Sequence, residues 1–130
     1  MANRSFKPLG GSLTQDVVLL TGKWTLGASG AISSSDLTGF SVAAADSDGK
    51  QVITLDDQYN ALVGVSLTYE DSGTFAEAES TVSEVAEETV SSDKEITVQH
   101  IKVEDGTAQS QANLNGKTIR CMIWLKNSSV

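Results

Sequence analysis

The clearest pattern in the chain is an alternation of apolar and polar side chains near its end. Residues 117–126 have the sequence KTIRCMIWLK, in which every second position from Ile119 is apolar. Alternate residues of a β-strand point to opposite faces of a sheet, so this run predicts a strand. One face would carry Ile119, Cys121, Ile123 and Leu125, and the other Arg120, Met122 and Trp124. The second face either lies in a two-sided core or packs against a partner.

Other segments have the composition of strands, because they are rich in β-branched and aliphatic residues and are bounded by residues that favour turns. They are residues 13–26, 40–45, 50–55, 64–69 and 94–103. Gly22 predicts a break in the first, giving one strand or two. The sequence Asp46-Ser47-Asp48-Gly49 predicts a hairpin between the second and third, because Asp-Gly suits a turn with positive φ.

Four segments have weaker patterns. Residues 27–39 are dense in Gly and Ser and predict a loop or a weakly paired crossing. Residues 56–63 begin with two Asp and have apolar residues at helical spacing, which predicts a single helical turn. Residues 70–95 contain nine acids and fit either a helix or strands; we favour a strand preceded by a surface loop. Residues 107–115 are polar and predict a loop.

The spacing of these elements predicts an all-β fold. Many short strands with turn signals about every ten residues are typical of an antiparallel β-sandwich or a jelly-roll-like domain. Residues 13–130 have the length of a single β domain. Residues 1–12, which combine charges with Pro8 and Gly10-Gly11, predict an extended N-terminal arm.

Charge narrows the range of partners. The formal net charge is −8, and nucleic acids are held mainly by basic side chains, so we expect no nucleic-acid binding. Acids crowd the middle of the chain while cations lie near its ends, which predicts two faces of different charge. The terminal cations are Arg4, Lys7, Lys23, Lys117, Arg120 and Lys126. No signal peptide or apolar run of about 18 residues is present, so we expect cytoplasmic synthesis and no membrane contact.

Residues able to carry catalysis are few and scattered. Asp46 and Asp48 resemble the opening of a calcium loop, but the closing ligands are missing and the turn explains them better. His100 has no second metal-binding residue nearby, which favours a structural or exposed role. Cys121 has no disulfide partner and lies in an apolar run, which predicts a buried thiol. The sequence therefore predicts no catalytic, cofactor-binding or metal-binding residue and no enzymatic activity.

Several segments together resemble a group of small structural proteins of tailed bacteriophages. They are NRSFKPLGGSL, VVLLTGKWTLGASGAISSSDLTGFSV, ITLDDQYNALVGVSL and IRCMIWLKNSS. In that group a link rich in Gly, Ala and Ser is followed by Gly-Phe-Ser-Val, a hairpin and Thr-Leu-Asp-Asp, and the chain ends on an aliphatic strand with Lys-Asn-Ser. The resemblance covers most of the chain and is weakest over residues 70–95.

The resemblance implies a capsid decoration, or cement, protein. Such a protein is a homotrimer on the capsid exterior of the virion, where it binds the major capsid protein, bridges neighbouring subunits and stabilises the shell without a cofactor. It supplies no functional residues to carry over. A tail, fibre or head-tail connector component would satisfy the same all-β composition. A carbohydrate-binding β-sandwich module is a further alternative, for which a row of exposed aromatic side chains would be expected.

Candidate interface residues follow from residue type and position. The arm is expected to supply docking contacts through Arg4, Phe6, Lys7 and Leu9. Trp24, Phe40 and Trp124 are expected to anchor either the core or an interface. Trp124 together with Arg120 ranks first, because Trp and Arg are enriched at the centres of protein interfaces.

Overall fold

The structure, a computed structural model, describes residues 17–71, 73 and 76–127. This part of the chain forms eight strands, a single-turn α-helix and two short 3₁₀ helices, Ala28–Gly30 and Glu77–Glu79. The elements are β1 (Val17–Leu26), β2 (Ile32–Leu37), β3 (Phe40–Val42), β4 (Lys50–Leu55), β5 (Ala61–Glu70), β6 (Thr81–Glu88), β7 (Glu95–Lys102), α1 (Gln111–Leu114) and β8 (Thr118–Lys126). The predicted arm lies outside the described residues. None of the helices described is long and apolar enough to cross a membrane.

The strands form two four-stranded antiparallel sheets. Sheet A has the order β2-β1-β8-β5, and sheet B has the order β3-β4-β7-β6. The inner faces of both sheets contribute to one cluster of buried side chains, so the sheets pack as a sandwich. The predicted antiparallel β-sandwich is therefore confirmed.

The core consists of aliphatic side chains around one tryptophan. Sheet A contributes Trp24, Leu26, Ile119, Cys121, Ile123 and Leu125, and sheet B contributes Phe40, Ile53, Leu55, Ile96 and Val98. Burying each of the larger side chains stabilises the fold by about 1.5–3 kcal/mol. The alternation predicted for residues 117–126 is confirmed, because the apolar set of β8 is buried.

Gly22 does not break the first strand, and the predicted break there is wrong. β1 runs through Gly22 without interruption, opposite Cys121 on β8. A Cβ atom at Gly22 would lie 2.8 Å from side-chain atoms of both Leu37 and Phe40. The glycine allows these side chains to approach the strand closely.

Three weakly patterned segments differ from prediction. Residues 27–39 contain β2, an edge strand whose serines are exposed, because pairing with β1 outweighs the low strand preference of serine. The helical turn predicted for residues 56–63 is absent, since β5 begins at Ala61 and pairs with β8. Residues 107–115 contain α1, which the Ser110 hydroxyl caps by accepting from the Asn113 N–H.

Two local predictions are confirmed. Oδ1 of Asp46 accepts hydrogen bonds from the backbone N–H groups of Asp48 at 2.9 Å and Lys50 at 2.8 Å. Gly49 has a φ of 75°, as a tight turn between β3 and β4 requires. The acidic stretch forms β6, the strand favoured for it, which pairs with β7 at an edge of sheet B.

Candidate interaction surface

The outer face of sheet A is built mainly by its two central strands. β1 and β8 pair from Val17 opposite Lys126 to Thr25 opposite Thr118. Because alternate residues of both strands are buried, the residues between them point away from the core. These outward residues are Val17, Leu19, Thr21, Lys23 and Thr25 on β1, and Thr118, Arg120, Met122, Trp124 and Lys126 on β8.

One end of this face is apolar, and we call it the apolar shelf. It comprises Val17, Leu19, Met122 and Trp124. Leu19 is 49% exposed and lies directly across from Trp124, which is partly exposed. On the other side of Trp124, β5 presents Gly64, where an added Cβ would meet no atom within 4 Å. Gly64 therefore adds no side chain to the face at the position opposite Trp124.

The other end of the face is charged, and we call it the charged row. Asp36, Lys23 and Arg120 lie side by side on β2, β1 and β8. Nη1 of Arg120 donates to Oε2 of Glu70 at 2.9 Å, and both side chains are about half exposed. Lys23 forms no ion pair or hydrogen bond through its ammonium group with the residues that the structure describes. Two shallow grooves of about 450 and 330 Å³ share all three residues of the row.

The outer faces of the two sheets differ in charge. The outer face of sheet A carries the cations Lys23, Arg120 and Lys126 and the anions Asp36 and Glu70. The outer face of sheet B carries the cation Lys50 and the anions Glu84, Glu87 and Glu95. In a chain with a net charge of −8, sheet A thus presents a surface on which acids do not predominate.

The predicted interface residues separate into three groups. Arg120 and Trp124 both lie on the outer face of sheet A. Trp24 has no exposed surface and Phe40 is 4% exposed, so both belong to the core, which corrects the assignment of Trp24 to an interface. The predicted arm residues Arg4, Phe6, Lys7 and Leu9 lie outside the described part of the chain.

Sequence reasoning missed several residues of this surface, among them Leu19 and Lys23. The run VVLL at the start of β1 is apolar at every position, so the run alone does not indicate which of its residues face the core and which face outward. Only the pairing of β1 with β8 places Leu19 beside Trp124 and Lys23 beside Arg120. The alternation of Thr21 and Lys23 with Trp24 and Leu26 was the signal that could have found them.

A hydrogen-bonded polar network joins the two sheets inside the core. Oε1 of Gln51 accepts from Nε1 of Trp24 at 3.3 Å and bonds Nε2 of His100 at 2.8 Å. Nε2 of Gln51 donates to the carbonyl of Ala43 at 2.9 Å, which fixes the orientation of the amide. His100 therefore carries its proton on Nε2, and its Nδ1 accepts from the Tyr69 hydroxyl at 2.6 Å.

Burial keeps the titratable groups of the core neutral. It lowers the pKa of His100 to about 4 and raises the pKa of Tyr69 well above its usual value. Burial likewise raises the pKa of the Cys121 thiol to about 12. A neutral histidine with both nitrogens engaged in the interior is arranged to connect the sheets.

Comparisons add no relative from which a role could be transferred. No family model, no curated protein and no solved structure matches the chain. In residues 17–71, 73 and 76–127, no three His, Cys, Asp or Glu side chains form a group able to hold a metal ion. The class of protein is thus defined by its fold, an antiparallel β-sandwich with an exposed apolar and cationic surface on one sheet.

Proposed function

We propose that this protein is a non-enzymatic decoration protein of a tailed bacteriophage. It binds the major capsid protein on the outside of the shell and bridges neighbouring subunits. The observation that carries the proposal is the outer face of sheet A, where exposed apolar side chains lie beside Lys23 and Arg120. Exposed apolar patches on small proteins mark interaction surfaces, and Trp with Arg is a frequent combination at their centres.

The physical role requires only contact area. Pressure from packed DNA must separate capsid subunits to open the shell, and a protein bound across a joint adds surface that must be exposed first. A standard interface buries about 1,600 Å² in total and needs no chemical step. A sandwich suits this role because hydrogen bonds between its strands hold the backbone of the outer face in place before binding, which lowers the entropy cost of association.

The proposal places the protein on the capsid exterior of the virion after synthesis in the host cytoplasm. A homotrimer is the proposed assembly, because junctions between capsid subunits with threefold symmetry would engage three copies at once. Several weak contacts then act together and raise the overall affinity far above that of one copy.

Binding to empty shells tests this function. Capsids of the phage that encodes the chain are assembled without it, incubated with the purified protein and sedimented. We expect saturable binding and a higher temperature of shell opening, measured by release of a dye or of DNA. Shells that neither bind the protein nor gain thermal stability would contradict the proposal. Binding to isolated tails instead would favour a tail component.

A further inference from the structure

We propose that the outer face of sheet A is the docking surface and that it receives an apolar ridge flanked by carboxylates on the capsid subunit. The inference rests on the proposed function, because it names the surface through which that function is exerted. It commits to a protein partner other than this chain. The apolar shelf, the charged row and their arrangement each contribute to it.

The apolar shelf supplies the apolar surface that docking would bury. Leu19 and Trp124 form a cross-strand pair on rigid central strands, and Met122 follows on the same face of β8. Gly64, which lies opposite Trp124 on β5, has open space where a side chain would stand, so a partner can approach the backbone closely there. Interface binding energy concentrates on large aromatic side chains and Arg near the centre of the contact.

The charged row supplies the preference for carboxylates. Lys23 and Arg120 are directly opposed on neighbouring strands, an arrangement in which like charges repel. Asp36 and Glu70 offset this repulsion from the flanks, but Lys23 has no ion pair among the described residues. A carboxylate placed above the two cations would be attracted by both and would relieve their repulsion.

The pattern of charges disfavours a second copy of this chain as the occupant. Sheets in an aligned face-to-face dimer keep their strands nearly parallel around a twofold axis. An axis along the strands, between β1 and β8, places Lys23 of each copy opposite Arg120 of the other. An axis across the strands places the apolar shelf of each copy on the charged row of the other. The first arrangement also brings the two apolar shelves together, but it sets the cations of the two charged rows against each other. The second sets apolar side chains against charges. A partner with an apolar ridge and carboxylates has neither conflict.

Two substitutions on this face test the inference, each with a matched control on the outer face of sheet B. Lys23→Glu is compared with Lys50→Glu, which makes the same charge change on β4. Leu19→Asp is compared with Val82→Asp on β6, because the exposed fractions of these side chains are 49% and 50%. Thermal unfolding of all four variants, followed by circular dichroism, verifies that each is folded.

The probe is the phage shell assembled without this chain, and the readout is affinity by sedimentation at two salt concentrations. We expect Lys23→Glu to lower affinity about tenfold or more and to weaken its salt dependence, because an attractive charge becomes repulsive. Leu19→Asp is expected to lower affinity about a hundredfold, since it buries a carboxylate in the apolar contact. The two sheet B variants should bind within about twofold of the wild type.

The outcomes separate the two proposals. Wild-type protein that fails to bind shells overturns the proposed function together with this inference. Wild-type binding that folded Lys23→Glu and Leu19→Asp variants retain in full overturns the inference alone and leaves decoration in place. If Leu19→Asp instead dissociates an oligomer of the free wild-type protein, a second copy occupies the face and the inference is wrong.

Discussion

Lowering the pH from 7.5 to 5 is expected to destabilise the fold through His100. The chain contains one histidine, and its side chain is fully buried with both ring nitrogens hydrogen-bonded. Protonation would place a charge in the core and force Nδ1 to become a donor toward the Tyr69 hydroxyl. The folded protein therefore resists a proton that the unfolded chain accepts.

The magnitude follows from the two pKa values. The folded pKa of His100 is about 4, below its ordinary value of 6.5. Between these values the unfolded state binds more protons, so stability is fully present above pH 6.5 and is lost as the pH falls toward 4. Each pH unit within the window costs about 1.4 kcal/mol, so the free energy of unfolding should be about 2 kcal/mol lower at pH 5 than at pH 7.5.

Urea unfolding at several pH values between 5 and 7.5 measures this loss, with tryptophan fluorescence, to which buried Trp24 contributes, as the signal. The control is His100→Gln, which removes the titrating group. We expect the variant to be less stable at neutral pH by about 1–3 kcal/mol, because it disturbs the network, but to lose the pH dependence. Asp105, whose pKa is lowered by hydrogen bonds from Thr107, titrates below this range.

Two results would refute the reasoning. One is a wild-type free energy of unfolding that is the same at pH 5 and pH 7.5. The other is a His100→Gln variant whose stability falls with pH as steeply as that of the wild type. Either result would mean that the buried histidine does not control stability in this window.

Three further predictions concern packing, charge and reactivity. Gly22→Ala should lower the free energy of unfolding in urea by about 1–3 kcal/mol, because its Cβ would meet side chains at 2.8 Å. Gly64→Ala should leave the free energy of unfolding unchanged, and equal effects of the two substitutions would contradict the prediction. Asp71 forms an ion pair with the buried ammonium of Lys117, and Asp71→Asn should lower the free energy of unfolding by about 3 kcal/mol because it removes the carboxylate. A decrease of less than 1 kcal/mol would show that the ion pair is unimportant for stability. Cys121, which is 2% exposed and has a pKa raised to about 12, should react with a thiol reagent at pH 8 only after unfolding; rapid labelling of the native protein would contradict its burial.

The part of the fold that the sequence predicted is the part set by local pattern. The alternation in residues 117–126 predicted the strand β8 and which of its residues share a face, and the Asp-Gly pair predicted the hairpin between β3 and β4. These signals depend on neighbouring residues alone. The edge strand β2 was missed because its serines have weak strand preference, and only its pairing with β1 orders it.

The candidate surface likewise has residues that the local pattern predicted and residues that only the pairing of strands brings together. The alternation on β8 placed Arg120 and Trp124 on one face without any knowledge of the fold. Lys23 and Leu19 lie far from them in the chain, and only the register of β1 against β8 brings them alongside. Sequence reasoning left Trp24 open between core and interface, although the alternation of Lys23 and Thr25 with Trp24 and Leu26 indicates that Trp24 faces the core. The buried network around His100 likewise depends on contacts between the two sheets.

Electron cryo-microscopy of the phage particle proposed to carry this chain tests the proposed role most directly. The account predicts density for the sandwich on the outer surface of the shell, at junctions between capsid subunits, with Leu19 and Trp124 turned toward the capsid protein. Density confined to the tail, or no density on the particle, would contradict the assignment as a decoration protein.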